Sequence, residues 1–211
     1  FKQSHLVSKE LTKIYRQSDP YFIDLLNKVR GAEDLDIVAS ALNQRYNSGA
    51  EPGKTVITLT CTNKVADRIN DDHLQRLSGT PVTFTGEVSG KFALEDEKLP
   101  SPLNLTLKVG AQVMFTRNGE KKHWVNGTLG KVVELSEAII RVEIQDRYSQ
   151  TVYDVQRVTW DAFRYKYDEV QDQIVPSRTG MYVQYPLMLA WAVTIHKSQG
   201  KTLEDVRVDL G

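Results

Sequence analysis

Cysteine is almost absent: Cys61 stands alone among 211 residues. No internal disulfide can form, and no cysteine-rich zinc site; a reducing, cytoplasmic compartment is the expectation. Nor is there a surplus of charge of either sign, with 27 Lys plus Arg against 27 Asp plus Glu. That excludes a chain that holds nucleic acid by bulk charge, so any such contact must be a local patch. Long hydrophobic runs are missing as well. The densest, Pro186 to Val193, falls far short of the ~20 residues of a membrane span. Phe1-Lys2-Gln3-Ser4-His5 lacks the shape of a signal peptide. There is no initiator Met, and the chain stops just after the apolar run Val206 to Leu210, so a piece of a longer protein is expected. Apolar residues make up 40% and charged residues 26%, the balance of an ordinary globular chain. Its length fits one large domain or two small ones.

A nucleotide cradle is also lacking. Gly53-Lys54-Thr55 follows Gly49 with one residue too few and precedes a strand-like run. A P-loop must instead follow a strand and open a helix, so that helix N–H groups meet the phosphates. Gly200-Lys201-Thr202 has no upstream Gly and precedes a strand. No Asp-rich Walker B run is present.

What is there falls into three stretches. In residues 1–80, Ser18-Asp19-Pro20 opens a helix with a capping side chain and a first-turn Pro. Phe22, Leu25, Leu26 and Val29 follow on one face, and Gly31 closes it. A second helix fits Leu35, Val38, Leu42 and Tyr46, ending at Asn47–Gly49. Val56 to Thr60 is short and β-branched, a buried strand, and Asn63 caps the helix after it. Residues 81–103, rich in Gly, Pro and charge, read as a connecting loop.

In residues 104–184, short β-rich runs (Val113 to Phe115, Lys131 to Leu135, Ile139 to Ile144, Val152 to Val158) alternate with turn residues, including Pro176 and Gly180. That spacing predicts a small antiparallel barrel. Asp161 to Tyr167 carries no assignable pattern. The third stretch begins with Pro186 to Val193, apolar enough to be one strand covered on both faces. It runs straight into Thr194-Ile195-His196-Lys197-Ser198-Gln199-Gly200. In open α/β sheets ligands bind at the carboxyl ends of strands. Hydroxyl, imidazole and ammonium groups there suit phosphate oxygens; a solvated cap on a short helix, opened by Thr194 and closed by Gly200, explains the same residues.

Together these segments carry a resemblance. PLMLAWAVTIHKSQGKT (186–202) closely resembles a motif of superfamily 1 helicases of the Pif/RecD-like branch. IYRQSDPYFIDLLNKVR (14–30) is similar to the segment opening that family's second motor domain. LKVGAQVMFTRN (107–118) and WVNGTLGKV (124–132) resemble its entry into an inserted SH3-like barrel, and LTCTNKVADRIN (59–70) is similar as well. The matches keep the family's order.

The resemblance implies an α/β fold: a RecA-like parallel-sheet domain over 1–107 and 183–211, with an SH3-like barrel inserted at 108–182. It implies a parent that hydrolyses ATP with Mg2+ and moves 5′ to 3′ on single-stranded DNA. The partner would be a first RecA-like domain of the same protein, holding both Walker motifs. This piece alone would then not hydrolyse ATP. Arg16 matches the arginine of the family's YRQ motif and would meet the γ-phosphate, with Gln17 beside it. Gln199, Gly200 and Lys201 would lie towards ATP. Thr194, His196, Lys197 and Ser198 would touch DNA phosphate, and so would Thr62 and Asn63 at a strand-to-helix junction. Arg117, Lys121, Lys122, His123 and Trp124 form a basic-aromatic patch suited to DNA by charge and stacking, and a solvated hairpin tip explains the same residues. Lys201-Thr202 stands where many relatives carry an acid after the glycine, a departure that puts a carboxylate–ribose contact in question.

Two other readings remain at this point. A single-strand-binding module without motor activity would leave Arg16 no nucleotide to meet. A protein-docking module would need exposed apolar area on the barrel.

Overall fold

The structure, a computed structural model, describes residues 17, 19–44, 56–92, 99–119, 123–145, 149–169, 172–201, 203 and 205–209. The chain divides into two units, 1–52 and 53–211.

In the first unit Asp19 caps α1 (Pro20–Gly31), its Oδ1 accepting from the N–H groups of Tyr21 and Phe22. The spacing predicts closure at Gly31. Instead Gly31 is the last helical residue, and Ala32 takes the left-handed conformation (φ 54°), sending its N–H back to Lys28 and Val29. The second helix, α2, runs Leu35–Asn43; its predicted end at Asn47–Gly49 lies outside the described residues. Leu25 and Val38 are the buried residues of the pair.

The second unit starts with a parallel sheet. Its central strand β1 (Ile57–Thr60) lies between β12 (Ala192–Thr194) and β13 (Val206–Asp209). Helix α3 (Asn63–Arg76) follows β1. Its N-cap is Thr62, with Asn63 already helical. Buried Asn70 clasps both backbone groups of Ala192, donating to its C=O (2.8 Å) and accepting from its N–H (2.9 Å). His73 stacks on Trp191 with centroids 5.2 Å apart. These contacts fix α3 to the strand that carries the polar cluster.

Between β1 and β12 in sequence lies the β-rich part. Residues 81–103 are not wholly loop: they contain β2 (Val82–Thr85) and β3 (Glu87–Gly90). A partner for β2 is β4 (Asn104–Leu107). A five-stranded antiparallel sheet then combines β5 (Gln112–Phe115), β6 (Leu129–Leu135), β7 (Ile140–Gln145), β8 (Gln150–Val155) and β11 (Leu187–Leu189), in the order β11-β5-β6-β7-β8. Among the described residues this sheet stays open at β11 and β8; it is not the closed barrel that the strand spacing predicts.

The unassigned stretch 161–167 lies in β9 (Val158–Asp168), which pairs with β10 (Gln173–Gln184) as a long ribbon. Pro176 and Gly180 therefore sit inside a strand, not in turns. Before Gly180, β9 is the one strand partner of β10 among the described residues, so a residue without an N–H is tolerated at 176. At Gly180 the ladder shifts register, and an added Cβ would stand 2.5 Å from the Phe92 N atom.

The apolar run 186–193 is not one strand. Leu187–Leu189 pairs antiparallel with β5, whereas Ala192–Thr194 pairs parallel with β1. The antiparallel sheet thus reaches past residue 183, into the span that the resemblance gives to the motor domain. Two cores follow. Val113, Phe115, Val132, Ile140, Val142 and Leu187 belong to the larger. The smaller, Ile57, Met114, Ala190 and Val193, cements the antiparallel sheet to the parallel one. Gln112 adds a polar clip, its Nε2 donating to the carbonyls of Ala190 (2.7 Å) and Val56 (3.1 Å). No helix among the described residues is long and apolar enough to cross a membrane.

Candidate nucleic-acid interface

Strands β1 and β12 end side by side, with Thr60 and Thr194 as register partners. Each end turns at once into a helix start. The Thr60 hydroxyl donates to the Thr62 carbonyl at 3.0 Å, shaping the turn. Thr62 Oγ1 then accepts from the Val65 N–H, and Thr194 Oγ1 from the Lys197 N–H, both at 3.4 Å. The two junctions are built alike: a β-branched residue ends the strand in extended backbone, and its own or a neighbouring hydroxyl caps the next turn.

This construction exposes Thr62, His196, Lys197, Gln199 and Gly200, leaves Asn63 and Ser198 half-buried, and buries Thr194. Helix α3 has 14 residues, so its first turn offers N–H groups and a positive dipole end beside Thr62. The other helix, α4 (Ile195–Ser198), is a single turn that aims side chains. Ser198 Oγ donates to the Ile195 carbonyl at 2.7 Å, which closes that turn. Exposed cations and hydroxyls at adjacent strand ends suit a phosphate backbone.

Lys201 leaves this surface. Gly200 turns the chain with φ +77°, and the half-buried Lys201 side chain runs to the antiparallel sheet. There Nζ donates to Asn126 Oδ1 at 2.9 Å and lies 3.3 Å from Met114 Sδ. Burial, and after it the nearby Lys197, push the ammonium below the usual lysine range. The partner residues Asn126 and Met114 carry no sign of this role in the sequence beyond the Asn-Gly turn signal.

Trp124 packs into the sheet, stacked on Phe115 at 4.4 Å and edge-on to Tyr153 at 5.5 Å. Exposed His123 lies over Tyr153 at 5.1 Å, and these rings line a groove of about 360 Å³ together with Thr128, Gln145 and Thr151. Arg117 is engaged with the ribbon, donating to the Thr159 carbonyl at 2.7 Å. Gln17, in the first unit, accepts from the Asp19 N–H at 3.1 Å. Arg16, Lys121 and Lys122 lie outside the described residues. Among the described residues no group of three His, Cys, Asp or Glu side chains could hold a metal ion.

Comparison with known proteins fits this geometry. The family description "DNA helicase Pif1, 2B domain" matches residues 94–135. The ATP-dependent DNA helicase Pif1 of Bdellovibrio bacteriovorus is 34% identical over 200 residues, covering 92% of this chain and 42% of that protein. The chain belongs to the Pif1 helicase family. The crystal structure of Bacteroides sp Pif1 in complex with ADP-AlF4 superimposes with a TM-score of 0.78 at 30% identity, over 93% of this chain and 44% of the other. A second Bacteroides Pif1 structure, in complex with ADP-AlF3 and ssDNA, gives a TM-score of 0.64 at 30% identity, over 96% of this chain and 46% of the other. The chain thus spans less than half the length of these Pif1 relatives.

Proposed function

We propose that the parent protein is an ATP-dependent DNA helicase moving along single-stranded DNA, and that this chain supplies its second, RecA-like motor domain with an SH3-like insertion. The observation that carries the reading is the pairing of Thr60 with Thr194, which brings two hydroxyl-capped helix starts to one edge of a parallel sheet. On this reading Thr62, Asn63, Thr194, His196, Lys197 and Ser198 hold the phosphate backbone. Lys121, Lys122 and Trp124 of the insertion are proposed as further DNA contacts.

ATP with Mg2+ would supply the free energy for movement. The sequence has no Walker motifs, so the phosphate cradle and the metal belong to the partner motor domain of the parent. The residues here fit an accessory role towards nucleotide. Gln199 and Gly200 are exposed at the tail of α4, and the Gln199 side chain is able to offer an amide. Arg16 and Gln17 are proposed separately, on the YRQ resemblance, for the γ-phosphate. The polar cluster would then face both ligands, Thr194 to Ser198 on the strand and Gln199 with Gly200 on the nucleotide, within seven consecutive residues.

The deciding experiment pairs His196→Ala with Lys197→Ala in the full-length parent and measures single-strand affinity against salt. Loss of one or two phosphate contacts lowers the slope of log K on log salt by about 0.7 each. An unchanged slope would remove the DNA contact from this edge. A docking role for the ribbon is the second reading. Phe163, Tyr165 and Tyr167 recur at alternate positions, hence on one face of β9, and are 52%, 71% and 61% exposed.

A further inference from the structure

We infer that Lys201 is a positioning residue that locks the polar strand-end segment onto the Asn126-Gly127 turn, so that the segment and the antiparallel sheet move as one body; this rests on the helicase reading above.

Its surroundings are built to receive a lysine. The stem crosses Gly127, where an added Cβ would stand 2.9–3.0 Å from the Lys201 side-chain carbons. Gly127 also holds φ +101°, so both its conformation and its missing side chain are used. The receiving turn is itself fastened. The Asn126 N–H donates to Asn118 Oδ1 (2.8 Å), the Gly127 N–H to the Phe115 carbonyl (2.8 Å), and the Val125 N–H to Thr128 Oγ1 (3.0 Å). A pull on Lys201 is therefore felt by the sheet as a whole.

The chemistry of the contact argues against a role in stability alone. Nζ meets an amide oxygen and a thioether, both neutral, and the charge acting on it most is the repelling Lys197. A partly desolvated cation with neutral partners is a poor stabiliser, and an apolar chain of similar length would fill the space without that cost. What the ammonium adds is direction: it fixes which oxygen the segment's end must meet.

Placement completes the case. Gln112 clips the antiparallel sheet to Val56 and Ala190, just before β1 and β12 begin. Lys201 ties the same sheet beyond the other end of β12, past Gln199 and Gly200. The Gln112 clip and the core of Ile57, Met114, Ala190 and Val193 hold the sheet to the strands themselves; Lys201 alone ties it to the polar segment beyond β12 among the contacts described here.

The test compares Lys201→Met, Asn126→Ala and the double variant in the full-length parent. Readouts are KM for ATP, single-strand-stimulated kcat, and base pairs unwound per ATP consumed. We expect KM and kcat to stay within about twofold while unwinding per ATP falls about fivefold or more. The double variant should be no worse than either single, since both remove one contact. A raised KM with unchanged unwinding per ATP would place Lys201 on the nucleotide and overturn the inference. So would no change at all, or a parallel fall of every readout together with the melting temperature. A wild-type parent lacking single-strand-stimulated turnover would instead overturn the helicase reading, and this inference with it.

Discussion

Asn70 and Ala192, 122 residues apart, exchange two hydrogen bonds across the packing of α3 on β12. The amide does what a neighbouring strand would do for Ala192, from a helix. Asn70→Ala leaves a buried N–H and a buried C=O without partners. The expected loss is about 2–4 kcal/mol, since each orphaned group forfeits its desolvation. Urea unfolding of the chain measures it, and a loss under about 0.5 kcal/mol would mean that water reaches Ala192.

Gly127 is the second sensitive position. Gly127→Ala forces a Cβ into a backbone at φ +101° and against the Lys201 stem. A cost of about 1–3 kcal/mol is expected. Lys201→Gly in the same chain should relieve the collision but not the backbone strain, so recovery is partial. Full recovery would mean that the turn has no conformational demand of its own.

Lys201 also predicts a pH dependence. Its ammonium is held below the ordinary lysine value of 10.5, by burial first and Lys197 second. Between the lowered value and 10.5 the unfolded chain binds a proton that the folded chain does not. Stability therefore rises with pH across that window, and below it the buried charge is a constant cost. Wild type should gain on Lys201→Met as pH climbs towards 10.5, in paired urea titrations. A flat or opposite trend would remove the claim of desolvation.

Arg16 is assigned by the helicase reading alone. In the full-length parent Arg16→Ala should lower single-strand-stimulated ATP turnover about 10³-fold, the scale of an arginine that meets a transferring phosphoryl group. Single-strand affinity without nucleotide should change little. Turnover near wild type would take Arg16 out of the nucleotide site.

Much of this was legible from local chemistry. Asp19-Pro20 marks the start of α1, and the β-branched run at 56–60 marks β1, because caps and short strands are decided by neighbours in sequence. The polar cluster at 194–200 was legible too, as a change of composition at a strand end. Where two far segments meet, the sequence is silent. The Lys201–Asn126 contact joins residues 75 apart. Nothing local separates Leu187–Leu189 from Ala192–Thr194, since both are apolar and only their partners differ. The span 81–103 reads as loop because Gly, Pro and charge are frequent across it, yet β4 and β10 supply the ladders that hold Val82–Thr85 and Glu87–Gly90 extended. At 161–167 aromatic and charged residues alternate on a ribbon with little core to cover, so no burial pattern forms.

The hand-over from β11 to β12 leaves only Ala190 and Trp191 between two sheets of opposite pairing sense. Both sheets are thereby graduated on a single ruler. Deleting one residue anywhere from 187 to 194 would throw the two ladders out of step together. A chimera that swaps the insertion at residue 183 would abandon its own closing strand on the host side of the seam; the safe suture lies at Ala190.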